Sequence, residues 1–452
     1  MNTKQIRQKI LDLAIRGELV PQDPTDEPAS VLLERIRAEK EQLIKDKKLK
    51  RDKKDNEPID EVPFELPEGW EWCRLGDIGE IIGGGTPSTS IEEYWNGEIS
   101  WITPADLSNH SDKYIAQGKR NITQLGLENS SATLIPKGGI LFSTRAPIGY
   151  VVIADKPLST NQGFKSLYPF IDISKEFIYY FLLAEKEKIK LFASGTTFQE
   201  LSASAFSKIL IPLPPLAEQH RIAQKVEQLL AIVDTIEQLQ EELKDLVKQT
   251  KNQVLNYAIA GKLTYQDPND EPAEALLKRI GKTTTTAADT PYEKLPKGWA
   301  WCRLGDITKT IATKPYQILQ SEIEKNGDFP VISQGTNYIE GFSSDETKVL
   351  KVEDFIIVFG DHTRAVKYID FDFIVGADGV KVILPNNNLS KYLYYLIFNA
   401  SYKIENRGYS RHFQFLQKEF FPLPPLAEQH RIVEKIETYF SFLDTIENQI
   451  NS

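Results

Sequence analysis

The chain has 452 residues, of which 41% are hydrophobic and 10% aromatic, a composition that supports folded cores and excludes wholesale disorder. Its formal net charge of −10 argues against a generic nucleic-acid-binding protein with a basic surface, although a local patch can outweigh the sum. No apolar run of about 18 residues and no signal-peptide core occurs, so we expect a soluble, cytoplasmic protein.

Three blocks of sequence occur twice, and each pair is separated by a different offset. The first block is found at residues 14–29 and 258–273 (offset 244), the second at 66–78 and 295–307 (offset 229), and the third, PLPPLAEQHRI, at 212–222 and 422–432 (offset 210). Eleven identical residues do not recur by chance, so the chain contains an internal duplication.

A lysine-rich segment follows the first copy of the first block. Residues 37–54 include the run KDKKLKRDKK, whereas the corresponding part of the second copy reads GKTTTTAADTP and has no basic character. The basic run is typical of a solvated helix end or tail, and a contact with nucleic-acid phosphates is the alternative.

Between the second and third blocks, each copy has short β-branched runs bounded by glycine, proline and aspartate. Strands are predicted at residues 98–103, 139–144, 150–153, 355–359 and 380–384, and apolar helices at 177–191 and 392–402. Each copy is therefore predicted to contain one α+β domain of roughly 130–150 residues. The two cysteines, Cys73 and Cys302, occupy matching positions and are each expected in a domain core, with neither a disulfide nor a metal site.

The third block has the features of a helix start. Pro214 and Pro215 suit the first turn, and Glu218 lies near the positive end of the helix dipole. Apolar residues then recur at heptad spacing, at Ile222, Val226, Leu229, Val233, Ile236, Leu243, Val247 and Val254. This pattern predicts a helix over residues 216–260, about 65 Å long, that packs along a partner helix.

The order of the blocks predicts the domain organisation. We expect an N-terminal helical segment (1–45), a basic linker (46–65), a variable domain (66–213), a central helical spacer (214–282), a second linker (283–294), a second variable domain (295–423) and a C-terminal helix (424–452). The two chain ends carry separately the kinds of block that the centre carries together. The predicted fold class is α+β: two α/β domains separated by long antiparallel coiled-coil helices, with a pseudo-twofold, circular organisation.

No catalytic motif stands out. Residues 83–86 (GGGT) could cradle a phosphate, but they do not form a P-loop and have no counterpart in the second copy, so a turn is the better interpretation. His220 and His430 belong to the repeated helix start, where a surface or interface role is favoured over metal ligation. Asp361, His362 and Arg364 suggest a nuclease-like cluster, but the first copy has no acidic residue to match it.

The variable domains share polar positions in their loops. Residues 144–146 parallel 363–365, residues 161–165 parallel 377–381, and residues 196–199 parallel 411–414. Arginine, asparagine and glutamine can read base edges, and lysine and threonine can contact phosphates, although each residue alone would equally suit a loop-fixing role.

This layout resembles the DNA-specificity subunit of a type I restriction-modification system. The resemblance covers essentially the whole chain and rests on LPxGWxWxRLGDI opening each variable domain, FSTRAPIG and NQGFK within the first, and PLPPLAEQHRI closing each. It implies that each variable domain is a target recognition domain reading one half of a split, asymmetric DNA sequence, with the helices as a spacer. The second domain departs from the pattern, because residues 377–379 read Ala-Asp-Gly instead of Asn-Gln-Gly and the glycine-threonine-proline turn is absent.

The resemblance also implies partners and site residues. The helices are expected to dock two methyltransferase subunits, and restriction subunits join the complex. S-adenosylmethionine, Mg and ATP are expected on those partner subunits. This chain itself is expected to have no cofactor and not to be an enzyme. The expected DNA contacts are Thr86, Ser88, Thr144, Arg145, Asn161, Gln162, Lys165, Thr196, Thr197, Gln199, Thr363, Arg364, Lys381, Arg411, His412 and Gln414. The expected subunit interface is Glu218, Gln219, His220, Arg221, Glu428, Gln429, His430 and Arg431.

Two other classes of protein remain open at this point. A self-sufficient methyltransferase would need a [DN]PP[YF] motif and a cofactor-binding glycine loop, but the only paired prolines stand in Leu-Pro-Pro-Leu. A pure protein scaffold with no DNA contact is the other alternative, and the observation that discriminates is whether Arg145, Arg364 and Arg411 lie on one exposed concave side.

Overall fold

A computed structural model describes residues 2–50, 59, 61–145, 147–193, 200–282, 295–386, 389–405 and 411–451. Its helices are α1 (Thr3–Ile15), α2 (Ala29–Lys45), α3 (Leu75–Ile78), α4 (Gln124–Glu128), α5 (Lys175–Lys190), α6 (Ala203–Ser207), α7 (Leu216–Ile259), α8 (Ala273–Arg279), α9 (Leu304–Ile307), α10 (Tyr392–Lys403), α11 (Phe413–Leu416) and α12 (Leu426–Asn451).

The strands of the first variable domain are β1 (Glu71–Arg74), β2 (Gly79–Gly83), β3 (Trp95–Ile102), β4 (Tyr114–Ile115), β5 (Arg120–Ile122), β6 (Ile140–Ser143), β7 (Val151–Ala154), β8 (Ser159–Thr160), β9 (Phe164–Pro169) and β10 (Leu210–Leu213). Those of the second are β11 (Ala300–Arg303), β12 (Thr308–Ile311), β13 (Phe329–Ile332), β14 (Gly341–Ser343), β15 (Val349–Leu350), β16 (Ile356–Gly360), β17 (Val366–Ile369), β18 (Phe373–Val375), β19 (Val380–Pro385) and β20 (Phe420–Leu423).

The chain divides into two compact units, a first unit of residues 2–239 and a second unit of residues 240–452. The boundary falls inside α7, so the predicted spacer contributes to both units instead of forming a separate body. The predicted mixed fold, with two domains and one long helix, is confirmed, and α7 spans 44 residues as the heptad pattern predicted. None of the described helices is long and apolar enough to cross a membrane.

The first unit is built around a five-stranded sheet in the order β2-β9-β6-β7-β4, beside a three-stranded sheet β5-β3-β8. Alternate side chains of its central strands enter two different cores. Phe142 and Ile153 pack in the core that contains α5, whereas Leu141 and Val152 pack in a second core on the other face. Strand β1 pairs with β10, so the second and third repeated blocks lie side by side.

The second unit repeats this plan with a four-stranded sheet β12-β19-β16-β17 and a second sheet β14-β13-β18-β15. Ile357 and Phe359 pack in the core that contains α10, and Ile356 and Val358 pack in the other core. Strand β11 pairs with β20 as β1 does with β10. Both cysteines are buried in these paired strands, and neither forms a disulfide.

Corresponding ion pairs join the helices within each unit. In the first unit, Arg7 of α1 contacts Asp234 and Glu237 of α7. In the second unit, Lys251 of α7 contacts Asp444 and Glu447 of α12 at 2.6 and 3.0 Å. These positions differ by the offsets of the first and third repeated blocks. The C-terminal half of α7 in the second unit therefore corresponds to α1, and its N-terminal half in the first unit corresponds to α12.

Candidate nucleic-acid interface

In the first unit, three loops meet at one edge of the five-stranded sheet. Gly83 at the end of β2 pairs with Lys165 of β9, and Ser143 at the end of β6 pairs with Phe164 of β9. The loops that follow β2 and β6 and the loop that precedes β9 therefore emerge together. We call this set of loops, described at residues 84–88, 144–145, 147–149 and 161–163, the first loop edge.

A glycine allows two of these loops to touch. A Cβ atom at Gly84 would lie 1.9 Å from the backbone oxygen of Asn161, closer than any real contact. The approach places the Thr86 hydroxyl 2.5 Å from Oε1 of Gln162, to which it donates a hydrogen bond. Oδ1 of Asn161 accepts from the backbone N–H of Gly163 at 3.0 Å. The predicted residues Thr86, Asn161 and Gln162 are thus brought together, and the side chain of Gln162 is exposed.

Two cations share one carboxylate at this edge. The Arg145 guanidinium donates to Glu200 at 2.5 Å, and the Lys165 ammonium lies 3.7 Å from the same carboxylate. The hydrogen bond from Arg145 lowers the pKa of Glu200. Because Arg145 is 46% exposed, its ion pair is worth little and the guanidinium can exchange the carboxylate for a phosphate or a base edge.

The remaining first-unit predictions have different outcomes. Thr144 is fully buried and its hydroxyl donates to the carbonyl of Gly163, so we correct its assignment from DNA contact to loop fixing. Ser88 is exposed, 2.9 Å from the hydroxyl of Ser90. Three predicted contacts lie outside the described residues, namely Thr196, Thr197 and Gln199.

The second unit has a corresponding edge, formed where β16 ends and β19 begins. Gly360 pairs with Val380, and the loops 361–365 and 376–379 emerge there as the second loop edge. Lys381 lies 3.6 Å from the Asp361 carboxylate. Arg364, with a positive φ of 63°, donates to the carbonyl of Ile404 at 2.6 Å, and the exposed Thr363 donates to the carbonyl of Gln334.

His412 is the second predicted DNA contact that the structure corrects. Its side chain is fully buried, and its Nδ1 lies 2.9 Å from the backbone oxygen of Asp361. The Asp361 carboxylate in turn accepts from the backbone N–H of Phe413 at 2.8 Å. His412 therefore fixes the loop, while its neighbours Arg411 and Gln414 are exposed.

Backbone pairing also corrects the sequence alignment of the two edges. The amide of Thr144 donates to Gly163, and the amide of Asp361 donates to Gly379 in the same way. Asp361, not Thr363, is thus the counterpart of Thr144, and His362 takes the place of Arg145.

The same reasoning identifies the counterpart of Arg411. The amide of Leu201 donates to the carbonyl of Thr144, and the amide of His412 donates to the carbonyl of Asp361. Arg411 therefore corresponds to Glu200. The first edge carries Arg145 and Glu200 where the second carries His362 and Arg411, so the two edges share a backbone plan and differ in charge.

Glu200 and Gln334 also belong to these edges and are not identified by the sequence patterns, and Asp361 and His362 belong to the second edge although their pattern suggests a nuclease-like cluster instead. The backbone N–H of His362 donates to Oε1 of Gln334 at 3.2 Å. Counting backward from the shared third block would have placed Glu200 close to Arg411. Gln334 has no comparable signal, because it comes from a connection in the second sheet.

Lys367 supports the loop that carries Gln334. Its ammonium donates to the backbone oxygens of Ser333 and Asn337 at 2.7 and 2.5 Å, and the side chain is only 4% exposed. Desolvation lowers its pKa to about 8 from an ordinary value of 10.5.

Between these two pH values, the unfolded state binds more protons than the folded state at Lys367, so the free energy of unfolding should rise with pH across that window. Lys367→Met should lack this rise, whereas Lys351→Met, which removes an exposed lysine, should keep it. Urea unfolding at pH values on either side of the window measures the difference. A rise that persists in Lys367→Met would contradict the assignment.

The repeated helix starts form a buried hydrogen-bond network in each unit, which we call the hub. In the first unit, the Glu218 carboxylate accepts from the indole N–H of Trp70 at 3.0 Å and from the Gln22 amide at 3.2 Å. In the second unit, Glu428 accepts from Trp299 at 2.8 Å and from Gln266 at 3.0 Å. Burial raises the pKa of Glu218.

Each hub also contains a glutamine and an arginine with partners inside the unit. The Gln219 amide donates to the carbonyl of Pro214 at 2.9 Å, and Gln429 donates to Pro424 at 3.0 Å. The guanidinium of Arg221 binds Asp26 at 2.7 Å. The second-unit pair is Arg431 with Asp270, at 2.5 Å.

Burial in the hub decides which predicted interface residues can face a partner. Glu218, Gln219, Glu428 and Gln429 are at most 1% exposed, so we reassign these four from subunit docking to internal structure. Arg221 and Arg431 are partly exposed and paired, and His220 and His430 are exposed. For these last four, the docking role stays a prediction.

The sequence matches a known protein family and several curated proteins. The family described as "Type I restriction modification DNA specificity domain" matches residues 67–245 and 296–452. The chain is 36% identical over 249 residues to the type I restriction enzyme MjaIX specificity subunit of Methanocaldococcus jannaschii, covering 54% of this chain and 52% of that protein. It is 32% identical over 384 residues to the EcoAI specificity subunit of Escherichia coli, covering 67% and 62%.

The fold comparison agrees. The HsdS subunit of Thermoanaerobacter tengcongensis matches with a TM-score of 0.52 and 20% identity, covering 86% of this chain and 94% of that one. The chain spans about half to three-fifths of the length of these two curated relatives. Since the family match includes both variable domains and most of α7, the chain belongs to the family of type I restriction-modification DNA specificity domains.

Proposed function

We propose that this chain is the sequence-specific DNA-recognition subunit of a type I restriction-modification complex and is not itself an enzyme. Each variable domain reads one half of a bipartite, asymmetric site through its loop edge. The observation that carries this proposal is that the two edges share one backbone plan but present Arg145 and Glu200 in one unit and His362 and Arg411 in the other. Equivalent scaffolds with different side chains suit two different half-sites.

The chemistry of the first edge supports direct readout. A guanidinium can bind guanine through two parallel hydrogen bonds, and the amides of Asn161 and Gln162 suit adenine. Lys165 and Arg145 supply positive charge beside a single carboxylate, so the edge attracts phosphates although the whole chain is acidic. At the second edge, the exposed Arg411 and Gln414 provide the corresponding donors.

The remaining parts of the proposal concern partners. The helices act as a spacer and docking surface, and because His220 and His430 are exposed at the same point of two equivalent helix starts, they suit two copies of one methyltransferase subunit. Restriction subunits complete the complex. S-adenosylmethionine, Mg and ATP then serve chemistry on those partners, and the complex acts in the cytoplasm.

The test is single-molecule methylation mapping of genomic DNA from cells that carry this chain with its methyltransferase partner. We expect a split, asymmetric methylated sequence that disappears when the chain is absent. Arg145→Ala should relax the sequence requirement of one half-site and Arg411→Ala that of the other. Each substitution should lower the discrimination between bases at that half-site by about tenfold or more, since an arginine–base contact is worth roughly 1–3 kcal/mol.

The matched control is Lys137→Ala, which removes an exposed cation just before β6, at the end of that strand opposite the first loop edge. It should leave the methylated sequence unchanged. Relaxation of both halves by either arginine substitution, or methylation that does not depend on the chain, would overturn the proposal.

A further inference from the structure

A groove in the second unit combines positive charge with aromatic rings. It has a volume of about 690 Å³ and lies between α7, α10, α12 and the edge strand β17. Five lysines, seven aromatic side chains and two carboxylates line it. Lys251 and Lys391 are already ion-paired and the Lys367 ammonium binds backbone oxygens, which leaves Lys244 and Lys248 to meet a ligand. The volume falls in the range of small-ligand sites, roughly 300–1,000 Å³, and the lining favours an anion that carries an aromatic ring.

Two lysines on one face of α7 are placed to meet an anion in the groove. Lys244 and Lys248 stand four residues apart on α7 and therefore share a helix face. Lys244 binds the Glu241 carboxylate at 2.9 Å in an exposed pair that a stronger anion can displace. Among the described residues, no carboxylate lies within ion-pair distance of the Lys248 ammonium.

The aromatic part of the groove follows α10. The rings of Tyr394 and Phe398 are 5.7 Å apart, and those of Phe398 and Tyr402 are 5.1 Å apart in an edge-to-face arrangement. Tyr402 is 55% exposed, so its ring is accessible from the groove. An accessible tyrosine ring can stack on a nucleobase, an interaction worth roughly 1–3 kcal/mol.

The duplicated first unit shows that the fold does not require this lining. Strands β7 and β17 pair with matching residues of β6 and β16, so Val152 corresponds to Lys367. The burial pattern of residues 177–184 in α5 matches that of residues 392–399 in α10. Continuing this alignment makes Glu187 the counterpart of Tyr402.

The counterpart of Tyr402 places a carboxylate near the corresponding lysine of the first unit. In the first unit, a hydrogen bond from Lys190 lowers the pKa of Glu187, and the nearby charge of Lys4 contributes. Lys4 corresponds to Lys248 at the offset of the first repeated block. The second unit has therefore replaced the carboxylate near this lysine by an exposed aromatic ring.

We propose that this groove binds a nucleoside phosphate, with its base stacked on Tyr402 and its phosphates held by Lys244 and Lys248. The proposed contacts, Tyr402, Lys244 and Lys248, are not residues of either loop edge, and the proposal does not depend on the function of those edges. The ligand is either a free nucleotide or a nucleotide of a single strand, because both present the same base and phosphate chemistry.

The test is calorimetric titration of the full chain with ATP, with inorganic tripolyphosphate and with a six-nucleotide single-stranded DNA. We expect saturable binding of ATP or of the single strand, and weaker binding of tripolyphosphate. Lys248→Ala and Tyr402→Glu should each weaken binding about tenfold, the equivalent of about 1.4 kcal/mol. Both side chains are exposed, so neither change is expected to disturb folding.

The matched control is Lys4→Ala, which removes the corresponding lysine of the first unit and should leave the affinity unchanged. Binding of ATP identifies a free nucleotide as the source, and binding of the single strand alone identifies a nucleic acid. Equal binding of tripolyphosphate and ATP would overturn the stacking role. Absence of binding, or binding that neither Lys248→Ala nor Tyr402→Glu affects, would overturn the site.

Discussion

Glu218→Ala should destabilise the first unit by roughly 2–4 kcal/mol, because it leaves two buried donors without an acceptor. The indole N–H of Trp70 and the amide of Gln22 both donate to this carboxylate, which is 1% exposed. Glu428→Ala should have the same effect on the second unit, where Trp299 and Gln266 lose their acceptor. Hydrogen exchange measured separately for peptides of each unit reads out the two effects.

Gln224→Ala and Glu434→Ala provide matched controls. These exposed residues occupy corresponding positions of α7 and α12, six residues after each hub glutamate, and should change the free energy of unfolding by less than about 0.5 kcal/mol. Comparable destabilisation by a control and its hub variant would mean that the helix, and not the hub, carries the effect. Equal loss of protection in both units after one hub substitution would contradict the local role.

The hub explains why three blocks with three different offsets are repeated. Gln22 belongs to the first block, Trp70 to the second and Glu218 to the third, so one hydrogen-bond network draws on all three. The duplication and the long helix could be predicted from the sequence because identity and heptad spacing are local properties. The meeting of the three blocks in one network could not be predicted, since identical polar residues at two helix starts are equally compatible with an exposed docking surface.

The loop edges show a second limit of sequence reasoning. The strands beneath them can be predicted from the sequence, because short β-branched and aromatic runs such as residues 355–359 favour a β-strand over other secondary structures. The loops were misaligned because the connection from β16 to β17 has five residues, whereas that from β6 to β7 has seven. Aligning the identical Thr-Arg-Ala triplets absorbed this difference and shifted the comparison by two residues. Backbone hydrogen bonds, which do not depend on side-chain identity, restored the register.

Gly84→Ala should abolish recognition by the first unit while leaving the second intact. An added Cβ would lie 1.9 Å from the backbone oxygen of Asn161 and 2.3 Å from the Thr160 hydroxyl, so the loops must separate. Separation displaces Thr86 and Gln162 together, and we expect a loss of roughly a hundredfold, or about 2.7 kcal/mol, in affinity for the target duplex. The measurement is binding of the assembled methyltransferase complex to duplexes with either half-site scrambled.

Gly83→Ala is the control for this substitution, since a Cβ at the adjacent glycine meets no atom within 4 Å. It should bind as the unmodified chain does. The Gly84→Ala complex should bind the intact target no better than a duplex whose first half-site is scrambled, because the contacts at that half are already lost. It should still discriminate against a scrambled second half-site, since the second loop edge is built from separate residues. Equal effects of the two alanines, or lost discrimination at the second half-site, would show that the close approach of residues 84 and 161 does not organise the edge.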